Sequence, residues 1–116
     1  MKKSVVHFEI GCSNLPETAK FYQEVFDWDV TPHGSTAIIN SGDSGALPGH
    51  INKLGPNDPQ NYVTIYIETD SLEKDLESAN ENGGKTLVAP TPLPDGRTFA
   101  WFEDVAGNII GLITSA

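Results

Sequence analysis

At 116 residues, with 38% hydrophobic side chains, the chain suits one compact domain with its own core. A formal net charge of −9 and a pI near 4.5 repel phosphate backbones, which argues against nucleic-acid partners and would favour a cationic small molecule. No apolar run nears the roughly 20 residues needed to span a bilayer, and the basic start Met1-Lys2-Lys3 lacks the apolar stretch of a signal peptide. A cytoplasmic protein without membrane partners is the expectation. The single cysteine, Cys12, leaves no internal disulfide and no Cys-rich zinc site; a small, partly buried structural role is expected for it.

Val5 to Ile10 alternates and is rich in strand formers. Val6, Phe8 and Ile10 point one way; Val5, His7 and Glu9 point the other. Asn14-Leu15-Pro16-Glu17 reads as a helix start, with Asn14 as cap, Pro16 in the first turn and Glu17 closing a capping box. Leu15, Ala19, Tyr22, Val25 and Phe26 give that helix an apolar face. Asp27 to Val30 leaves the helix for a strand, and Thr36 to Ile39 is another. A Gly/Ser/Pro-rich loop covers 40–49, and His50 to Leu54 is a short strand. Residues 55–61 form a turn-rich connector.

The order then repeats. Tyr62 to Glu68 alternates as a strand, and Asp70-Ser71-Leu72-Glu73 repeats the capping-box pattern. Leu72, Leu76 and Ala79 supply a second apolar helix face, which Gly83-Gly84 ends. Strands follow at Lys85 to Val88, Thr98 to Phe102 and Ile109 to Thr114, with a turn at 105–108. The halves align at a constant offset: Ile67 follows Ile10, Leu72 follows Leu15 and Leu87 follows Val30, each by 57 positions. Two copies are too few for a solenoid, so this is a duplication inside a single domain, 1–116. Module one covers about 4–54 and module two about 62–114, each reading strand–helix–strand–strand–strand.

Three stretches carry a family resemblance. They are His7-Phe8-Glu9-Ile10 followed by Leu15-Pro16-Glu17 and Phe21 to Trp28; Tyr66 to Asp70 with Asn82-Gly83-Gly84-Lys85; and Trp101 to Leu112 around Gly107-Asn108. Their order and spacing resemble the vicinal-oxygen-chelate superfamily (glyoxalase, bleomycin resistance, extradiol dioxygenase) over nearly the whole chain. The resemblance implies an α+β fold in which two βαβββ modules form a curved mixed eight-stranded sheet around a cleft, often in a homodimer. Metal-dependent members draw ligands from four strand positions. One matches His7. The second-module match falls on Thr64, the last-strand carboxylate falls on Gly111, and the remaining position falls near Asn52, with His50 two residues away on the same face. A stable divalent site usually needs three or more protein ligands. No family-type metal and no other cofactor is therefore expected, an unusual site at His7, His50 and Asn52 being the alternative.

Alternation puts His7 and Glu9 on one face, and the offset puts Thr64, Tyr66 and Glu68 on the matching face of module two. A histidine beside carboxylates can serve as a general base, so His7 with Glu9 as its partner forms the candidate catalytic pair. His50, Asn52, Thr64, Tyr66 and Trp101 are the candidate ligand contacts. Arg97 lies in a loop from which it could clamp a carboxylate. Gly42-Asp43-Ser44-Gly45 resembles the stretch around a serine-protease nucleophile but lacks a matching His/Asp pair, and no Gly-Lys-Ser/Thr loop appears. The leading expectation is a glyoxalase-like protein that binds a small organic molecule in an inter-module cleft, with lyase or isomerase chemistry if it is an enzyme. The alternatives are a non-catalytic protein that sequesters a cationic antibiotic and a degenerate interaction domain.

Overall fold

The computed structural model describes residues 2–115. Its elements run β1 (Val5–Cys12), α1 (Leu15–Phe26), β2 (Asp29–His33), β3 (Thr36–Asn40), β4 (Gly49–Lys53), β5 (Val63–Thr69), α2 (Leu72–Glu81), β6 (Lys85–Pro92), β7 (Thr98–Glu103) and β8 (Ile109–Thr114). Eight strands, paired both parallel and antiparallel, and two helices make the expected α+β class, with the βαβββ order occurring twice. The chain divides into two compact units. One is His7–Thr64; the other joins the segment up to Val6 with the chain from Ile65 onward.

In the His7–Thr64 unit the strands lie in the order β2-β3-β4-β1, with β1 parallel to β4 and the other pairs antiparallel. Asn14 caps α1 as its sequence implies: its side-chain oxygen accepts the Glu17 N–H at 3.0 Å. The helix ends at Asp27, whose φ of 59° is left-handed. Cys12, Val30, Ala37, Ile39 and Ile51 form the buried core, with Phe8, Ile10, Leu15, Ala19, Tyr22 and Trp28 packed against it. The odd-numbered face of β1 thus stays clear of the helix. Trp28 stacks on Tyr22 at 5.0 Å, which makes it a packing residue.

The expected apolar face of α1 is narrower than its sequence suggests. Val25 and Phe26 are 54% and 55% exposed. At about 100° per residue, Val25 lies roughly 80° round from the Leu15–Ala19–Tyr22 stripe. Phe26 shares that stripe but sits in the last turn, its ring beside those of Tyr22 and Trp28.

In the second unit the order is β5-β8-β7-β6, again with one parallel pair, β5 with β8. Leu72, Leu76, Ala100 and Leu112 form its core, with Ile67 and Phe102 against them. The N-terminal segment is tied to this unit. Glu68 N–H donates to Ser4 C=O at 2.9 Å, and the Lys3 ammonium bonds Asp75 at 3.0 Å and Thr69 at 3.1 Å. The second capping box does not form as expected. Ser71 is the N-cap of α2 but makes no side-chain cap bond; its hydroxyl donates to Asp70 at 3.0 Å instead. A hydroxyl has one proton and a neighbouring carboxylate is the stronger acceptor. No helix among the described residues is long and apolar enough to cross a membrane.

Candidate functional site

The parallel register of β1 and β4 sets Glu9 opposite His50 and Gly11 opposite Asn52. Alternation puts His7 on the same face as Glu9. Four of the residues expected from the sequence therefore meet on one sheet face. Their side chains form a continuous hydrogen-bonded row. His7 Nε2 lies 2.6 Å from His50 Nδ1, and His50 Nε2 lies 3.1 Å from Glu9 Oε1. The other carboxylate oxygen, Oε2, accepts the hydroxyl of Tyr62, and that hydroxyl accepts Asn52 Nδ2–H at 3.1 Å. His7 and Glu9 are thus joined through the imidazole of His50.

The Glu9 side chain is only 4% exposed, whereas that of His50 is 25% exposed. A buried carboxylate needs donors, and an imidazole and a phenol are among those of Glu9. Tyr62 holds its proton well above the ordinary phenol range. Burial contributes most to that, followed by the hydrogen bond to Glu9 and the charge of Glu9. At neutral pH Tyr62 is therefore a donor to Glu9, and the bonding roles along the row follow. Glu9, as a carboxylate, only accepts, so His50 presents Nε2–H to it. With that N–H turned to Glu9, His50 Nδ1 is the acceptor for the Nε2–H of His7. Two imidazolium rings would aim N–H at N–H across 2.6 Å, so one of the two facing nitrogens is an acceptor.

Tyr62 did not stand out in the sequence. It precedes β5, after Asn61, whose φ of 57° is left-handed. Its ring lies on Gly11, where any Cβ would overlap it, and Gly11 N–H donates to Tyr62 C=O at 2.8 Å. A glycine inside a strand, two residues from a carboxylate, is the signal that could have pointed to a close neighbour. Tyr62 also walls an open cavity of about 670 Å³, together with Ile10, Asn14, Glu17, Phe21 and Tyr22.

Thr64 is 3% exposed on β5. Tyr66 and Trp101 belong to the second unit, 6% and 8% exposed, and Trp101 Nε1–H donates to the Tyr66 hydroxyl at 2.8 Å. Gly111 pairs with Tyr66 across β5 and β8, and the Tyr66 ring fills the space a side chain there would need. Arg97 binds Asp95 within its own loop at 2.8 Å. Cys12 is a free thiol in the core of the first unit.

Residues 4–112 match the model of the Glyoxalase/Bleomycin resistance protein/Dioxygenase superfamily. The chain belongs to this superfamily. A glyoxylase-like domain-containing protein of Didymella fabae is 28% identical over 91% of this chain and 89% of its own. Among solved structures, a hypothetical protein of Bacillus halodurans C-125 aligns over 100% of this chain and 96% of its own, with a TM-score of 0.71 at 15% identity. A variant methylmalonyl-CoA epimerase of Streptomyces coelicolor, in complex with 2-nitronate-propionyl-CoA, aligns over 97% of this chain and 96% of its own, with a TM-score of 0.64 at 17% identity. At such identities the solved structures speak for the fold.

The superfamily's metal chemistry fits these residues poorly. His7 Nε2 and both Glu9 oxygens are bonded to protein partners, and the Tyr66 ring covers Gly111, the position where a carboxylate would stand. Among the described residues, no group of three or more His, Cys, Asp or Glu side chains is arranged to hold a metal ion.

Proposed function

We propose that this superfamily member binds a small organic molecule and moves a proton at one of its carbons without a metal, as an isomerase or lyase. The observation that carries the reading is the unbroken row His7–His50–Glu9–Tyr62. The His7 imidazole takes the substrate proton. The Nε2 proton of His7 can then shift to His50 Nδ1, so the positive charge settles beside the Glu9 carboxylate, which favours it. The base is strengthened without placing a carboxylate next to the substrate. Methylmalonyl-CoA epimerases among the structures of like fold agree with this class of reaction.

The test is hydrogen–deuterium exchange in D₂O with 2-oxo acids, malonyl-type thioesters and hemithioacetals, followed by NMR. His7→Ala is expected to slow the exchange of a responsive compound by about 10²–10⁴-fold, the usual span for a general base. Equal exchange by both proteins removes His7 from the role. The reading includes a cytoplasmic homodimer of single-domain chains, which sedimentation checks for its stoichiometry.

A second reading, a non-catalytic protein that sequesters a cationic small molecule, is favoured by one feature. Glu17 is the one acidic side chain of the 670 Å³ cavity, whose walls include Phe21, Tyr22 and Tyr62, in a chain of net charge −9. Calorimetric titration with bleomycin decides it: micromolar heat supports sequestration, and none at millimolar concentration rejects it for that drug.

A further inference from the structure

We infer that the outward face of α1 is the surface on which a second copy of this chain docks, the two helices running antiparallel; this rests on the homodimer of the proposed reading and is independent of the chemistry of His7. The duplication supplies an internal control. Phe21, Tyr22, Phe26 and Trp28 form a run of ring contacts with centroids 5.0–6.2 Å apart. Their counterparts 57 positions on are Ser78, Ala79, Gly83 and Lys85, and that of Val25 is Asn82. The second module builds the same helix end from small and polar residues, so the fold does not call for rings there. None of the twelve residues of α1 is buried, whereas α2 buries Leu72 and Leu76. Phe21, Val25, Phe26 and Val63 are each more than half exposed, and Phe21 and Val63 line the open cavity beside the helix.

Area and charge point to a like chain as the occupant. A standard interface covers about 800 Å² per partner and is about 57% apolar, so each side brings roughly 450 Å² of apolar surface. Two half-exposed phenylalanines give about 200 Å², and the two valines with the edges of Tyr22 and Trp28 bring the face to the order of 400 Å². The rim is self-complementary. At about 100° per residue, Glu17, Lys20 and Glu24 lie together along one border of the Phe21–Val25 ridge. In a two-fold antiparallel pair, each border meets its own copy. Phe21 of each chain then packs on Val25 of the other, and Lys20 of each reaches Glu24 of the other. With a net charge of −9 on each chain, these pairs offset part of the repulsion between copies.

The experiment is sedimentation velocity on the full chain across concentration, with thermal unfolding of each variant as the check on folding. The wild type is expected to dimerise. Phe21→Glu replaces an exposed ring and should weaken the dimer about 30-fold or more, as loss of an interface anchor does. Ser78→Glu, at the matching place on α2, should leave the dimer unchanged. Lys20→Glu should weaken it about tenfold, and Lys20→Glu combined with Glu24→Lys should restore it, because the pair is only exchanged. A dimer that withstands both Phe21→Glu and Lys20→Glu overturns the inference and leaves the homodimer to another surface. A wild type that stays monomeric at millimolar concentration overturns the inference and the homodimer together, and leaves the exchange test of His7 untouched. If Phe21→Glu fails to fold, the Lys20 and Glu24 charge exchange decides by the same readout.

Discussion

The two units solve the same stretch of backbone differently. In the first, parallel β1 and β4 set Glu9 opposite His50, and β3 adds Ile38 opposite His50. In the second, parallel β5 and β8 set Tyr66 opposite Gly111, and β7 adds Trp101 opposite Gly111. Tyr66 is the counterpart of Glu9 at the offset of 57 residues. One row is an acid, an imidazole and an exposed isoleucine. The other is a phenol folded over a glycine and bonded to a buried indole. A repeated fold therefore does not repeat its side chains. Pairing geometry is inherited by both halves, while one row carries an acid and an imidazole and the other a phenol and an indole.

The largest test of this contrast removes the centre of each row's third strand. Trp101→Ala should lower unfolding stability by about 3–5 kcal/mol in chemical denaturation. Ile38→Ala, at the matching place but 51% exposed, should stay within about 0.5 kcal/mol. Equal losses would mean that both rows are core.

Next in size is Gly111→Ala. Its added Cβ overlaps the Tyr66 ring, so a loss of about 1–3 kcal/mol is expected, read as a fall in thermal midpoint. A neutral result would show that the ring is free to move aside.

The smallest effect concerns the tie between the N-terminal segment and α2. Burial pushes the Asp75 carboxyl up, but its bonds to Thr69 and Lys3 outweigh this and hold it below its ordinary 3.8. A lowered carboxylate contributes stability above pH 3.8 and loses it as the pH falls below. Lys3→Met should therefore cost less than about 1 kcal/mol at pH 7, since both groups are partly exposed. The difference between the two proteins should vanish as the pH is taken from 4 towards 2. A difference that persisted there would assign the effect to packing of the lysine stem.

Much of the fold was legible in the sequence because its signals are local. Alternation gave β1 and its two faces, the Asn14 cap gave the start of α1, and the constant offset gave the duplication. Where reading failed, a competing local bond or a rotation was responsible: the Ser71 hydroxyl turned to Asp70, and Val25 lay off the buried stripe. Of the site, His7 and Glu9 could be placed on one face, and His50 with Asn52 on another strand's face. That His50 stands between His7 and Glu9 follows from the β1–β4 register, which pairs residues about 40 positions apart and leaves no mark in either segment.

The sequence by itself determined the order of elements, the two modules and the side of each strand on which a residue stands, because these depend on periods of two and 3.6 residues along the chain. Tertiary structure decided which side chains touch. Tyr62 reaches Glu9 because the chain turns at Asn61 and because Gly11, 51 residues earlier, leaves room for the ring. Bonds of that kind are fixed by packing between distant segments, and packing is a property of the folded chain alone.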